Sequence, residues 1–544
     1  MKPKTHIIPL TLAAIALLGM FVSCLEDDPR DRISEDQAIT SPTSLWINSI
    51  GTLYNSIGSV EDGSGLQGTN RGIYDYSTFT TDEAIVPIRG GDWYDGGFWK
   101  RLYTHEWSAN DLELYNLWCY LLQSVVCCND AIALIDKHKS LLNQSQLMAY
   151  NAEARAIRAM YYYYLIDLFG NVPLLEKNQT SVAEVSNTRR SEVFRFAFKE
   201  LQQVAPYLAD AHSNLQGQYY GRLTRPVAHF LLAKLALNAE VYTCDNPVRH
   251  ARKPGKDILF TVDNEQLNAW QTTIRYCEKL QAAGYTLENS YADNFKVHNE
   301  TSRENIFTIP MDKNIYPNQY QYLFRSRHYN HGKALGMGSE NGPCATISTV
   351  RAFGYGSTPE KLDTRFKLNF YADTVMVDGD TVRLDNGQPL VYMPLNVAID
   401  LTTSPYIKTA GARMAKYEID RHSFLDGKLQ DNDIVLYRYA DVLLMLAEAK
   451  VRNGQSGQAE MDAVRARAGM PSRTATLANI LEERRLELVW EGWRRQDLIR
   501  FGRFTHSYDL RHALEKEDTG YTTIFPIPSR AIGANGNLRP NSDF

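Results

Sequence analysis

From Leu114 onward, apolar residues recur three and four positions apart at Leu117, Leu121, Val125, Cys128, Ile132 and Ile135. That period places them on one face of a helix, to be buried against a neighbour. Tyr150, Ala154, Ile157, Tyr161, Tyr164 and Leu168 repeat the pattern, and Gly170 with Pro173 supplies the stop signal. Thr224 is a good N-cap for a third helix through Phe230, Leu231, Lys234 and Leu235, with Pro226 tolerated in its first turn. The period returns over Asp441 to Arg452, closed by Gly454, then over Met461 to Ala468 and Leu477 to Val489. So many one-faced helices bury their apolar sides by stacking in pairs. No repeat of fixed period is evident, so spacing alone does not establish a helical-repeat architecture.

Between roughly 255 and 430 the helical period gives way to Gly, Asn, Asp and Tyr with short strand-like pieces. Thr374 to Val377 and Thr381 to Leu384 flank Asp378-Gly379-Asp380, a hairpin signal. Irregular stretches this long in a compact protein are usually functional loops.

The first residues read as an address. Lys2 and Lys4 precede an apolar run from Ile7 to Val22, interrupted at Pro9 and Thr11, which has the charged and apolar regions of an export signal. Phe21-Val22-Ser23-Cys24 resembles the lipobox of bacterial lipoproteins, although Phe21 stands where leucine is commoner. Residues 1–23 are then a signal peptide, and Cys24 carries the lipid that anchors the chain in the outer membrane; several acyl chains hold where one is marginal. Leu25-Glu26-Asp27-Asp28 resembles the surface-export signal of Bacteroidetes lipoproteins, and equally reads as a solvated tether. Residues 24–40 are expected to be the lipidated cysteine and its acidic linker. No later apolar run reads as long enough to span a bilayer.

Composition narrows the chemistry. The 544 residues are 44% hydrophobic and 22% charged, an ordinary globular balance that needs no disulfide staples. A net charge of −5 argues against a general nucleic-acid binder. The seven cysteines show no CxxC pair or Cys/His spacing, so no zinc site or other cofactor is expected, and Cys127 and Cys128 read as small core residues. Asp378 and Asp380 lack the other ligands of a calcium loop, so no metal is assigned there. Glu153, Arg155, Arg158 and Asp167 sit amid apolar helix faces, as do Arg438, Asp441, Glu448, Glu482, Arg485 and Glu487; buried ion pairs are expected of them rather than catalysis. The 32 tyrosines and 8 tryptophans suit both core packing and sugar stacking.

Several segments resemble the RagB/SusD family, in the order the family has them. They are Ala152-Glu153-Ala154-Arg155 with Arg158 to Tyr164 and Asp167 to Leu174, Gly221-Arg222-Leu223-Thr224 with Leu231 to Lys234, Leu436 to Ala449, and Val464 to Gly469. Glu482 to Leu488 with Glu491-Gly492 and Asp497 to Arg500, and Phe525-Pro526-Ile527-Pro528, complete the set. The resemblance implies a predominantly α, SusD-like fold: four tetratricopeptide-like helix pairs carrying a loop-rich, short-stranded binding region. Residues 41–250 would form its N-terminal region and 251–544 its C-terminal region. It also implies a non-catalytic glycan-binding protein at the cell surface, acting as a lid on a SusC-like TonB-dependent transporter.

Two segments are candidates for the ligand site. Thr81 to Pro87 leads into a glycine-punctuated loop bearing Arg89, Asp92, Trp93, Tyr94, Asp95 and Trp99, with Asp82 just upstream. Sugars stack an apolar C–H face on aromatics while their hydroxyls need donors and acceptors. The resemblance assigns ligand contacts to this region; either tryptophan could instead anchor the loop to the scaffold. The second segment holds Tyr316, Tyr320, Tyr322, Arg325, Arg327, His328 and Tyr329, continuing to Asn341-Gly342-Pro343-Cys344. It completes the site by resemblance, or serves as a packed or transporter-facing surface. A peptide cargo is the alternative ligand. A glycoside hydrolase is the alternative chemistry, because Asp82, Glu83, Asp92 and Asp95 could supply two carboxylates, yet no GxSxG, HExxH or phosphate loop is present. A scaffold that binds only protein is the remaining alternative.

Overall fold

The computed structural model describes residues 34–179, 181–316, 321–424 and 426–541. The export segment and Cys24 lie outside the described residues. Where the description begins, Ser34 caps the one-turn helix Glu35–Ala38 with a full capping box. Glu35 of that turn reaches Lys137 and His138, joining the start of the chain to the body.

Among the described residues, the helices of ten or more residues form one stack: α1 (Leu112–Lys137), α2 (Gln144–Phe169), α3 (Arg190–Val204), α4 (Arg225–Leu237), α5 (Ala269–Ala282), α6 (Tyr439–Arg452), α7 (Gln458–Arg467) and α8 (Leu477–Leu488). Each packs on the next through α6, which carries both α7 and α8. These are four helix pairs, continuous across residue 250 because α4 lies on α5.

Local chemistry accounts for the helices. Leu114, Leu117, Leu121, Val125, Cys128 and Ile135 of α1 are all buried, as their spacing requires. By length and composition α1 could cross a bilayer, but half of its apolar window is packed inside the protein. Asn143 and Gln146 form a capping box at the start of α2, and Gly170 ends it at φ +70°. From Ala152 to Phe169 only Arg155 of α2 escapes full burial, so this helix is the central one. Thr224 does occupy the N-cap of α4, yet its side chain makes no capping bond.

The chain leaves the stack between α5 and α6, which still pack on each other, and the loop-rich middle is inserted at that point. Asn305–Ile309 and Ile434–Arg438 close its base as a buried antiparallel ladder, with Ile309 opposite Ile434 and Asn305 opposite Arg438. The expected hairpin forms with a tighter turn than its sequence suggested. Val377 pairs with Asp380, leaving Asp378 (φ +53°) and Gly379 (φ +88°) as the two turn residues. Two left-handed residues match the right-handed twist of the flanking strands, which an ordinary type I or II turn would splay.

The charges on apolar helix faces are paired, as expected. Lys234 of α4 lies 2.7 Å from Asp441 of α6, and Asp441 also meets Arg484 of α8 at 2.7 Å. Arg484 continues to Asp497 at 2.8 Å, Asp497 to Arg500 at 2.7 Å and Arg500 to Glu448 at 2.7 Å, every side chain buried. Arg158 and Arg155 hold Glu200 of α3, and Arg495 holds Asp167 of α2. Glu482 and Arg485 are neighbours on α8 at 2.7 Å. Such chains fix how helices meet, because removing one partner strands a buried charge.

Candidate functional site

The two candidate segments, far apart in sequence, are joined in space. Ala84–Ile85 pairs antiparallel with Cys344–Ala345, Ile85 opposite Cys344. Beyond this ladder the chain turns back on itself, Arg89 and Asp92 exchanging backbone hydrogen bonds of 2.9 and 3.3 Å around Gly90-Gly91. Four of the next five residues then adopt positive φ: Trp93 (+61°), Asp95 (+41°), Gly96 (+61°) and Gly97 (+83°). For glycine this is free, but for a tryptophan it is strained and must be held by its surroundings.

The second segment holds it. Trp93 Nε1 donates to the Glu340 carbonyl at 2.8 Å, and the indole lies so close to Gly342 that an added Cβ there would sit 2.4 Å from the ring. Tyr329 donates its hydroxyl to Asp92 at 2.8 Å. Burial and the Asp92 carboxylate push this phenol up to about 12. Trp99 stands behind Trp93, ring centroids 5.7 Å apart, and its Nε1 donates to Asp95 at 2.7 Å.

Burial sorts the predicted residues into two groups. Trp99, Arg89 and Arg325 are buried with their polar groups engaged, and Asp82 is largely so. Asp82 ties the segment to the scaffold through Arg494 at 2.6 Å and Arg485 at 3.3 Å, and these cations hold its carboxyl low against the opposing cost of burial. Arg89 donates to the carbonyls of Gly342, Ile407 and Ala410. Arg325 clasps Asp75 and Asn70. These side chains support the site from below. The residues a ligand can reach are Tyr94, 56% exposed, Tyr329, 45% exposed, Asp92, Asp95 and the half-buried edge of Trp93. Tyr320 lies outside the described residues, and of Tyr322 only its backbone place in the helix Gln321–Ser326 is described.

Three neighbours were not singled out from the sequence. Arg71 bridges Asp62 at 2.6 Å and Asp95 at 2.9 Å, its guanidinium 5.8 Å from the Trp99 ring centre. Glu340 borders the platform half-buried, its carboxyl pushed up by desolvation. The one available signal was the glycine-rich run from Gly58 to Gly72, where Gly63, Gly65, Gly68 and Arg71 all take positive φ. The resulting surface combines aromatic rings with carboxylates pre-oriented by Arg71 and Tyr329, chemistry suited to hydroxyl-rich ligands.

A profile of the SusD family matches residues 259–544, and one described as starch-binding associating with outer membrane matches residues 72–237. The starch-binding protein SusD of Bacteroides thetaiotaomicron is 25% identical over 447 residues, 74% of either chain. A SusD-like protein of Bacteroides ovatus is 23% identical over 531 residues, 94% of this chain and 86% of its own. Among solved structures, a SusD-like protein from Bacteroides fragilis superposes with a TM-score of 0.71 at 18% identity, covering 95% of this chain and all of its own. Surface glycan-binding protein A from Bacteroides thetaiotaomicron, in complex with laminarihexaose, superposes with a TM-score of 0.69 at 20% identity, covering 92% of this chain and 100% of its own.

Proposed function

From the premise that this chain belongs to the SusD family, we propose that it binds an oligosaccharide or polysaccharide at the cell surface. The observation that carries the reading is the meeting of the two candidate segments in one platform, with Tyr94, Trp93 and Tyr329 presented beside Asp92 and Asp95. Sugar rings stack on the aromatics, and the carboxylates accept hydroxyl hydrogen bonds. SusD-like glycan-binding proteins are non-catalytic, and the engagement of Asp95 by Arg71 and Trp99 suits a hydroxyl acceptor. In this reading Cys24 anchors the chain to the outer membrane, and the bound glycan passes to a SusC-like TonB-dependent transporter that the protein covers as a lid. The description of the second matching profile, association with the outer membrane, supports that placement.

The test is affinity electrophoresis of residues 25–544 through gels containing starch, laminarin and other polysaccharides, beside Tyr94→Ala and Trp93→Ala. Retardation by one polysaccharide, lost in both variants and leaving the polymer undegraded, is the expected result. Shortened product would indicate a hydrolase, and no retardation in any gel would overturn glycan binding in favour of a peptide cargo or a purely scaffold role. Co-purification of a TonB-dependent transporter from detergent-solubilised outer membranes, lost on Cys24→Ala, tests the lid.

A further inference from the structure

A second aromatic cleft lies away from the platform and shares none of its residues. It has a volume of about 440 Å³ and opens between the helix Pro42–Trp46, the first half of α2 and the segment 207–223. Trp46 and Tyr150 line it from one side, Tyr207 and Tyr219 from the other. Tyr207 is 47% exposed.

The charge balance of its lining is specific. Glu153 is its one carboxylate and Arg222 its one cation, and they neutralise each other through two hydrogen bonds of 3.0 and 2.6 Å. Trp46 Nε1 also donates to Glu153 at 3.2 Å, as does the Tyr54 hydroxyl. With four donors, this carboxylate is saturated, so it has little capacity left as a base or as an acceptor for a cationic ligand. Arg222 lies over the Trp46 ring at 4.4 Å and the Tyr219 ring at 5.1 Å, which spends its charge on the wall of the cleft. The other polar groups offered to a ligand are phenols, hydroxyls and amides, among them Tyr207, Tyr219, Gln146 and Gln218.

The cleft is also pre-organised. Arg225 donates to the carbonyls of Ala205, Pro206 and Leu208 and pairs with Asp210, pinning the turn that carries Tyr207. Arg222 donates to the Gln218 carbonyl, pinning the other lip. Walls held by their own residues lower the ordering cost of binding. The size falls within the usual range of ligand sites, about 300–1,000 Å³.

We propose that this cleft is a second carbohydrate site, independent of the platform, that takes a short stretch of neutral oligosaccharide. An anionic sugar finds no unpaired cation in the lining, and a cationic ligand finds no unpaired carboxylate. Tyr207 supplies the stacking face, and the Gln218 amide and the Gln146 Nε2 meet ring hydroxyls, Gln146 Oε1 being held by Asn143 N.

The experiment is hydrogen–deuterium exchange on residues 25–544 with laminarihexaose, maltohexaose, cellohexaose, xylohexaose and, as the charged control, hexagalacturonate. The readouts are peptides covering 42–46 and 205–223 for the cleft, and 89–99 with 325–344 for the platform. The expected result is that at least one neutral hexasaccharide protects the cleft peptides and hexagalacturonate does not. Tyr207→Ala should weaken that protection about fivefold in concentration dependence, leaving the platform peptides unchanged, while Tyr94→Ala should do the reverse. Absence of cleft protection with every neutral probe, equal protection by hexagalacturonate, or protection unaltered in both Tyr207→Ala and Gln218→Ala overturns the second site. Failure of the platform alone shows only in its own peptides, so the two readings fall separately.

Discussion

Where the strand Ile434–Arg438 enters α6 of the helical stack, Arg438 meets three carboxylates, Glu304, Glu487 and Glu491, at 2.6–2.8 Å. Beneath the platform Arg89 meets none. It donates to the carbonyls of Gly342, Ile407 and Ala410, while its neighbour Arg413 donates to those of Ser326, Gly342 and Lys408. All of these guanidinium groups are buried, yet their electrostatics diverge. Its carboxylates hold Arg438 well above the ordinary arginine range despite desolvation, whereas desolvation and the adjacent Arg413 push Arg89 down to about 9. The cause is backbone geometry. Helices satisfy most of their own carbonyls, so a charge buried among them is met chiefly by charged side chains; Arg438 takes only the Glu487 carbonyl besides its carboxylates. Irregular loops leave carbonyls without partners, and each buried one needs a donor. Arginine's fixed fork of five N–H groups supplies several at once. In the stack, arginine sets how helices meet; under the platform, it immobilises loops that have no ladder of their own. Arg495 is intermediate, since it pairs with Asp167 but lies near Arg190 and is held below the usual range chiefly by burial.

The largest consequence belongs to the stack. Arg438→Met removes the cation shared by three buried carboxylates, leaving Glu304 and Glu487 to Arg467 and Arg365 and Glu491 to Lys416. It should destabilise the protein by about 3 kcal/mol, read as a fall in the guanidinium chloride midpoint. If the loss were under about 1 kcal/mol, the charge network would not be what fixes the α6–α8 packing.

Glu83 sharpens the contrast from the acidic side. It lies where the platform segment leaves the scaffold, and its carboxylate accepts a backbone bond from Trp490 N at 2.9 Å. Burial pushes it up to about 8. The folded form therefore keeps a proton that the unfolded chain releases above its ordinary value near 4.5. Stability from this group is complete below about pH 4.5, falls as pH rises through the window to about 8, and is flat beyond. The slope is at most about 1.4 kcal/mol per pH unit. Glu83→Gln keeps the acceptor and should remove that slope, so the variant gains on the parent between pH 5 and 8 in denaturation curves. Parallel curves for the two would refute a neutral Glu83.

Arg89→Met tests the platform's own device. It leaves the carbonyls of Ile407 and Ala410 without the donor they have here, Gly342 keeping Arg413, at a cost of about 1–3 kcal/mol, no larger than for Arg438. Its main readout is local: amide exchange should speed up at 340–342 and 407–410, with glycan retardation lost, while α1–α8 stay protected. Uniform acceleration across the stack would mean that Arg89 acts as a scaffold residue.

This division also explains what could be read from the sequence. Helix faces, the stop at Gly170 and the pairing of Asp441 or Glu448 follow from short-range periodicity, and a charge on an apolar stripe has few alternatives to a partner. The platform does not yield to that logic. Trp93 and Trp99 look alike in sequence, and only the left-handed backbone at Trp93 and its contact with Gly342 decide which one faces outward. The pairing of Ile85 with Cys344 is a tertiary event between two-residue strands too short to announce themselves. Arg71 and Asp62 lay in a run whose glycines signalled turns but not what the turns would approach.

The smallest effect on stability should accompany a clear effect on binding. Tyr94 projects from the loop, and no scaffold residue depends on its ring, so Tyr94→Ala should shift the denaturation midpoint by less than the equivalent of about 0.5 kcal/mol. Loss of a stacking face should nevertheless weaken glycan affinity up to about tenfold. Trp99→Ala should show the opposite ratio, because Trp99 is buried, braces Trp93 and binds Asp95, so its removal opens a cavity costing about 3–5 kcal/mol. Measured together by denaturation and affinity electrophoresis, the two variants separate residues that touch the ligand from residues that hold those in place. If Tyr94→Ala destabilised as much as Trp99→Ala, the platform would be part of the core rather than a surface borne by it.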